Sequence, residues 1–388
     1  MERLSGGPDV VLEEGREAVE SPAKSRDAAQ AVIRACEILK CFGHEGEVLV
    51  LGDVVERTGL SRTTAFRLLL SLVRGGMMER VGRGEYRSLV RTGFAQSIRL
   101  GFAAQTNSEF CQEVTEGLKR AAAADDRIHL VMVNNRYSAS EALRNAEYLV
   151  KEQVSLVLEF QTYQRVAPTI SAQFLEAEIP VVAIEIPHPG ATYYGANNYE
   201  AGLIAGRALG RWAKKHWPDE AEQLLLLELP IAGPLPGLRI TGTVEALRTE
   251  LPYFDKLNVV RLDGKGDFEQ VLDVVRRFVR RSSKRRTLVG TVNDTGALAA
   301  LRAFEEAGMG QEVAAVGQNG TMEARKELRR RGTRLVGSVA YFPERYGQEL
   351  IRLAVYILQK KPVPSAVFVK HKLLTPQNVD LVYPLDKK

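Results

Sequence analysis

Between Gly52 and Gly76 the chain reads GDVVERTGLSRTTAFRLLLSLVRGG. Within it Ser61, Arg62, Thr63, Thr64 and Arg67 gather hydroxyls and guanidinium groups into the first turns of one expected helix. Such groups at the positive end of a helix dipole suit phosphate oxygens and base edges. Further on, Arg83 sits at the tip of a Gly-Arg-Gly turn with Arg80 and Arg87 on either side, a basic set suited to a nucleic-acid backbone or minor groove. A second set has different chemistry. Asn107 and Phe110, Phe160, Glu185, Asn293, Asn319 and Tyr341 each follow an apolar run of strand length, and Arg239 follows the loop IAGPLPGL. Amides, aromatics and a few charges at successive strand ends suit a polar ligand with faces to stack on and edges to hydrogen-bond. Singly, each has an ordinary reading. Asn293 with Asp294 can cap a helix, Glu185 can pair with a basic side chain, and Phe110 or Tyr341 can be core.

The first set needs a helix-turn-helix to present it. Residues 28–42 carry Ala29, Val32, Ile33, Cys36 and Leu39 on one side of a helix. Asp53–Thr58 forms a short helix that stops at Gly59, where a left-handed backbone lets the chain turn. Ser61 caps the next helix, whose buried stripe is Ala65, Leu68, Leu69, Leu72 and Val73. Thr63, Arg67, Leu70 and Arg74 then face away. MMERV-GRG-EYRSL reads as a β-hairpin. Residues 28–91 thus predict a winged helix-turn-helix.

The second set needs a sheet. From Ile98 onward, apolar runs such as IRLGFAA, VSLVLEF, PVVAIEI, LLLLEL and TLVGTV alternate with helical segments. That alternation predicts an α/β fold of largely parallel sheets covered by helices, and its repetition before and after Asn198 predicts two similar lobes. Ligands of such sheets sit beyond the carboxyl ends of the strands.

Bulk properties set the frame. The 388 residues exceed one typical domain, and 45% hydrophobic with 26% charged residues is ordinary for a soluble globular protein. A net charge of +5 permits nucleic-acid binding without requiring it. Cys36, Cys41 and Cys111 form neither a disulfide framework nor a zinc pattern, which fits a reducing compartment. Residues 1–27 mix Gly, Pro, Ser and charge, lack an apolar run of export-signal length, and are expected to be a disordered tail of a cytoplasmic protein. No phosphate loop, HExxH or GxSxG pattern occurs, and the five histidines form no ligand spacing, so no metal, cofactor or catalytic function is expected.

Two resemblances add to this reading. VIRACEIL, LGDVVERTGLSRTTAFRLLLSL and MMERVGRGEYRSL together resemble the amino-terminal DNA-binding domain of the IclR regulators. The segment from Ile98 to Pro384 resembles the type I periplasmic-binding-protein fold, in the branch of ribose-type receptors and LacI/GalR regulators. It is carried by RLGFAAQTNSEFCQEVTEGLKRAA, YGANNYEAGLIAGRAL, GLRITGTVEAL, TVNDTGALAALRAFEEAG and GSVAYFPERYGQELIRLAV. The resemblance implies that Asn107 and Phe110 bond to and stack on a ligand, that Glu185 binds hydroxyls, and that Arg239 and Asn293 reach the ligand from the second lobe. Asn319 stands where sugar receptors usually have aspartate, and Ile186 where several have arginine. These departures point to a less hydroxylated or more extended ligand than a simple pentose or hexose.

The expected organisation is a tail (1–27), the winged domain (28–91), a linker (92–97) and an effector-binding domain (98–388). Its first lobe spans about 97–199 and 341–364, its second about 200–340 and 365–388. The expected function is a ligand-responsive regulator, a homodimer binding operator DNA and a small polar, sugar-like effector, with no membrane partner. The alternatives are a solute-binding receptor of a transporter, an α/β enzyme acting on a sugar or nucleotide, and a regulator whose sensor has lost its ligand.

Overall fold

Glycine and serine placement sets the first unit. The computed structural model describes residues 22–43, 46–90, 97–282 and 285–385, and the chain divides between Ser97 and Ile98 into two compact units. The first holds α1 (Pro22–Lys40), β1 (Val48–Val50), α2 (Leu51–Thr58), α3 (Arg62–Arg74), β2 (Met78–Gly82) and β3 (Glu85–Ser88). The Asp53 carboxylate accepts the Val50 N–H at 3.0 Å and starts α2. Gly59, at φ 66°, ends it in the left-handed region, and its N–H donates to Val55 O at 2.9 Å. Ser61 Oγ then accepts the Thr64 N–H at 3.3 Å, the cap the sequence predicts. The hairpin pairs antiparallel in the sheet order β1-β3-β2. Ile38, Phe42, Leu49, Val54, Ala65, Leu69, Met78 and Tyr86 fill the core.

Two expectations about α1 need correction. The helix starts at Pro22, so residues 22–27 are helical; residues 1–21 and the 92–96 part of the linker lie outside the described residues. Val32 and Ile33 are exposed at 63% and 52%, while Ile38 is fully buried. Periodicity finds an apolar stripe but not how far a neighbour covers it, and here α2 and α3 meet the helix towards its carboxyl end.

The second unit repeats one strand order. β4 (Ile98–Ala104), α4 (Glu109–Ala122), β5 (Ile128–Asn134), α5 (Ala139–Lys151), β6 (Leu156–Glu159), α6 (Ala167–Glu176), β7 (Val181–Ile184) and β8 (Thr192–Ala196) build the first lobe. α7 (Asn198–His216), β9 (Gln223–Glu228), α8 (Pro234–Glu250), β10 (Asn258–Asp263), α9 (Phe268–Arg281), β11 (Thr287–Thr291), α10 (Asp294–Glu306), β12 (Val313–Asn319), α11 (Met322–Arg329) and β13 (Leu335–Ala340) build the second. α12 (Tyr346–Leu358) returns to pack on α4, β14 (Ala366–Val369) follows it, and β15 (Lys372–Leu374) and α13 (Val379–Val382) close the chain. The six-stranded sheets run β14-β8-β7-β6-β4-β5 and β10-β9-β11-β12-β13-β15. All pairings are parallel except β13 with β15. In each lobe the order reverses beside the first strand, leaving a crevice at the carboxyl ends of β4 and β6 in one and of β9 and β11 in the other.

The last crossing differs from the expected one. Ala366–Val369 pairs with Tyr193–Ala196 in the first sheet, so the chain returns to the second lobe after Val369 rather than after residue 364. Short edge strands such as β14 carry little periodic signal of their own.

Close helix approach sets the second lobe. A Cβ at Gly202 would strike the Arg239 carbonyl, and one at Gly242 the Tyr199 carbonyl. α7 and α8 therefore cross with their backbones in contact, next to Arg239.

Candidate functional site

On the winged module, the buried side of α3 is Ala65 and Leu69, with Leu68, Leu72 and Val73 packed partly against the core. Ser61, Arg62, Thr63 and Arg67 are exposed, and Thr64 is half-buried with its hydroxyl 2.8 Å from Ser61 Oγ. The α3 amino-terminal turn thus offers two guanidinium groups and hydroxyls to solvent. Arg83 is exposed at the hairpin tip, where Gly84 adopts φ 83°. Arg87 differs from expectation: its guanidinium is paired with Glu79 on the adjacent strand. Cross-strand pairing was invisible until the register put Glu79 opposite Arg87.

In the second unit a cavity of about 870 Å³ opens between the two lobes. Asn107, Phe110, Phe160, Glu185, Arg239, Asn293 and Asn319 all line it. Each stands at or just past the end of a strand or on the helix that follows, so the two sheets deliver them to one place. Tyr341 does not join the lining. It is 1% exposed and lies behind the wall, with the Arg239 guanidinium 4.9 Å from its ring centre and its hydroxyl donating to Gln318 Oε1 at 2.9 Å.

Glu185 and Arg239 meet each other across the lobes. Arg239 Nη2 donates to Glu185 Oε2 at 2.7 Å, Nε to Asn198 Oδ1 at 2.6 Å, and Nη1 to Val292 O at 2.9 Å. The other carboxylate oxygen of Glu185 accepts the Tyr346 hydroxyl at 2.6 Å and the Ala196 N–H at 3.2 Å. Both side chains are under a tenth exposed. The carboxylate expected to receive ligand hydroxyls is instead largely satisfied by the protein. Glu185 also holds φ 61°, a left-handed conformation that an L side chain adopts at a cost. Burial, and then the Glu185 charge, push the Tyr346 hydroxyl well above its usual range, so it serves as a donor.

The remaining walls divide into structural and free groups. Asn293 Oδ1 accepts the Gly296 N–H at 2.9 Å and caps α10 while facing the cavity. The Asp294 carboxylate is buried against Ser338 and Thr321, with Oδ1 2.5 Å from Ser338 Oγ and Oδ2 accepting the Thr321 N–H at 2.8 Å; burial pushes its pKa up to about 7. Asn107 Oδ1 accepts from Asn134 Nδ2 at 2.8 Å. Phe110 packs edge-on against Phe160, Tyr341 and Tyr346, with ring centres 6.3, 6.5 and 5.8 Å away. Asn319 Oδ1 is buried without a partner, on a residue at φ 107°. Behind the wall, burial pushes Glu159 up to about 8, against a 3.0 Å hydrogen bond from Asn135.

Several lining residues were missed by sequence reasoning. Tyr137 follows β5, the one early strand whose end drew no attention, and Thr162 lies two residues past Phe160. Asp267 lies between β10 and α9 and caps that helix. All three sit beyond strand ends, so the same rule, applied to every strand, finds them.

Comparison with known proteins fits this geometry. The periplasmic binding protein domain family matches residues 101–362, and the IclR helix-turn-helix domain family matches residues 31–82. Among solved structures, a Mycobacterium smegmatis transporter solute-binding protein with bound glycerol is similar at TM-score 0.67 and 18% identity, over 75% of this chain and 98% of that one. A Bacillus halodurans solute-binding protein with bound myo-inositol gives 0.65 and 19%, over 75% and 99%. An Actinobacillus succinogenes protein with bound D-allose gives 0.64 and 16%, over 73% and 99%. At these identities the likeness is one of fold. A search of curated proteins returns no match. Neither matched domain is of an enzymatic type. Among the described residues no helix is long and apolar enough to cross a membrane.

Proposed function

The chain belongs to the periplasmic binding protein domain family, and since it also carries an IclR helix-turn-helix domain, we propose that it is a cytoplasmic transcription regulator whose DNA affinity responds to a small molecule held between its lobes. The observation that carries this reading is the union on one chain of an exposed, Ser61-capped helix and a cleft whose walls come from different lobes. A ligand touching both walls favours the lobe arrangement that brings them together, and it shifts the equilibrium only by its differential affinity for the two arrangements. In a homodimer, that arrangement sets the spacing of two winged helices against two operator half-sites. Asn107, Phe110, Phe160 and Asn319 are the contacts we assign to the effector. Glu185 and Arg239 join the lobes at the wall of the cleft.

On the DNA side, Thr63 and Arg67 face base edges, and Arg62, Arg83 and the hydroxyls of Ser61 and Thr64 face phosphates. Arg87, neutralised by Glu79, contributes less than the sequence alone suggests. The test uses duplexes selected from a random pool by the full-length protein. Arg67→Ala is expected to weaken selected sites by about 1–3 kcal/mol, or ~5- to 150-fold, and to relax base preference at one position. Arg83→Ala is expected to weaken all sequences evenly and lower the salt slope by about one. Gel-shift titrations at several salt concentrations check both. Unchanged binding in both variants would remove the recognition-helix and wing assignments together.

A further inference from the structure

The charges and helix ends around the cleft say which ligand it is built for. The lining carries Glu109, Asp267 and Glu323, with the Asp294 carboxylate turned onto Ser338 and Thr321, whereas Arg239 is the one basic residue among the described lining residues, and Glu185 already pairs with it. Helix amino termini normally attract anions. Here three of them are already occupied by the chain's own side chains, while the start of α4, which also lines the cleft, has no side-chain cap. Asp267 Oδ1 accepts the Glu269 and Gln270 N–H groups of α9 at 3.1 and 3.2 Å, Asn293 caps α10, and Glu109 Oε2 accepts the Glu323 N–H of α11 at 3.3 Å. Arg325, beside the rim, is held by Glu113 Oε2 at 2.6 Å and Gly320 O at 2.7 Å. A phosphate or carboxylate entering the cleft therefore meets carboxylates and no uncommitted cation on the lining.

The free groups are of another kind. Asn319 Oδ1 is buried and lacks a hydrogen-bond partner, and the Tyr137 and Thr162 hydroxyls lie within reach of each other in the wall. Around them stand Phe110, Phe160, Ile186, Leu229 and Leu298. A cavity of about 870 Å³ lies near the upper end of the roughly 300–1,000 Å³ that encloses drug-sized ligands. One pyranose ring would leave much of it empty.

We infer that the cleft takes an uncharged or cationic ligand larger than a monosaccharide, one that joins a few hydrogen-bonding groups to an apolar or aromatic body, and that it rejects phosphorylated and carboxylated compounds. This rests on the cleft being the effector site proposed above, and it specifies the class of compound that occupies it.

A matched pair of fluorescent probes tests this on the full-length protein: neutral N-phenyl-1-naphthylamine and its sulfonated relative 1-anilinonaphthalene-8-sulfonate. The neutral probe is expected to bind saturably at one site per chain, and the sulfonate at least tenfold more weakly. Leu298→Trp and, separately, Leu229→Trp fill the cleft and are expected to weaken the neutral probe at least tenfold. Glu109→Gln with Glu323→Gln is expected to narrow the gap between the two probes. The inference is overturned if the sulfonate binds as tightly as the neutral probe, if no saturable neutral binding occurs, or if both tryptophan variants bind as the parent does. DNA is absent from this titration, so a failure here removes the ligand class and leaves the coupling of cleft to DNA to be judged separately.

Discussion

Arg239→Ala is expected to destabilise the two-lobed unit by about 3–5 kcal/mol, because it leaves the Glu185 carboxylate buried without its cation. The guanidinium makes three hydrogen bonds in this structure, to Glu185, Asn198 and Val292, and its removal orphans an acceptor on each. At roughly 2–4 °C per kcal/mol for a domain of 150–250 residues, the melting temperature should fall by about 10 °C. The double variant Arg239→Met, Glu185→Met should be less destabilised than Arg239→Ala alone. Apolar replacement of both partners removes the uncompensated charge, whereas removal of one creates it. Calorimetric melts of the three proteins decide this. A double variant as unstable as the single would mean that packing, not the buried charge, dominates at this point. Because the pair joins the two lobes, the same substitution should also loosen the closed arrangement that the ligand is proposed to favour.

The second large effect lies where α7 and α8 cross. Gly242→Val should cost more than about 3 kcal/mol, since the new side chain meets the backbone of Tyr199, Gly202 and Leu203 rather than the flexible end of a side chain. Helix propensity favours valine over glycine by only a few tenths of a kcal/mol, too little to offset this. Gly237 provides the contrast within the same helix. Nothing lies within 4 Å of a Cβ built there, so Gly237→Ala should stabilise by about 0.4–1 kcal/mol. Melting curves of the pair, shifted in opposite directions, would assign the cost to the crossing. Equal shifts would contradict it.

The parts of this molecule that obey local rules were legible in its residues. Gly59 and Ser61 marked the turn and the cap, and the structure places a left-handed residue and a side-chain cap there. Strand ends brought Asn107, Phe110, Phe160, Glu185, Arg239, Asn293 and Asn319 to one cavity, because parallel strands of one order deliver their carboxyl ends to one side. What could not be read was mutual satisfaction. Glu185 and Arg239 are 54 residues apart, and only the packing of the two lobes makes one the other's partner. The same holds for Arg87, whose charge is answered by Glu79 through hairpin register, and for Tyr341, whose strand-end position puts it under Arg239 instead of at the cavity surface. A residue's type and position announced what it could bind; the fold decided whether that capacity was left for a ligand.

Occupancy of the cleft is expected to change DNA affinity. Reciprocity makes it measurable from both ends with one ligand and one duplex. A compound found by thermal shift on the full-length protein, and a duplex recovered by selection, suffice. The DNA dissociation constant is measured with and without saturating compound, and the compound's constant with and without saturating duplex. Both are expected to change by the same factor, about 5- to 150-fold. Tight binding of both partners with neither constant moved by the other would contradict it.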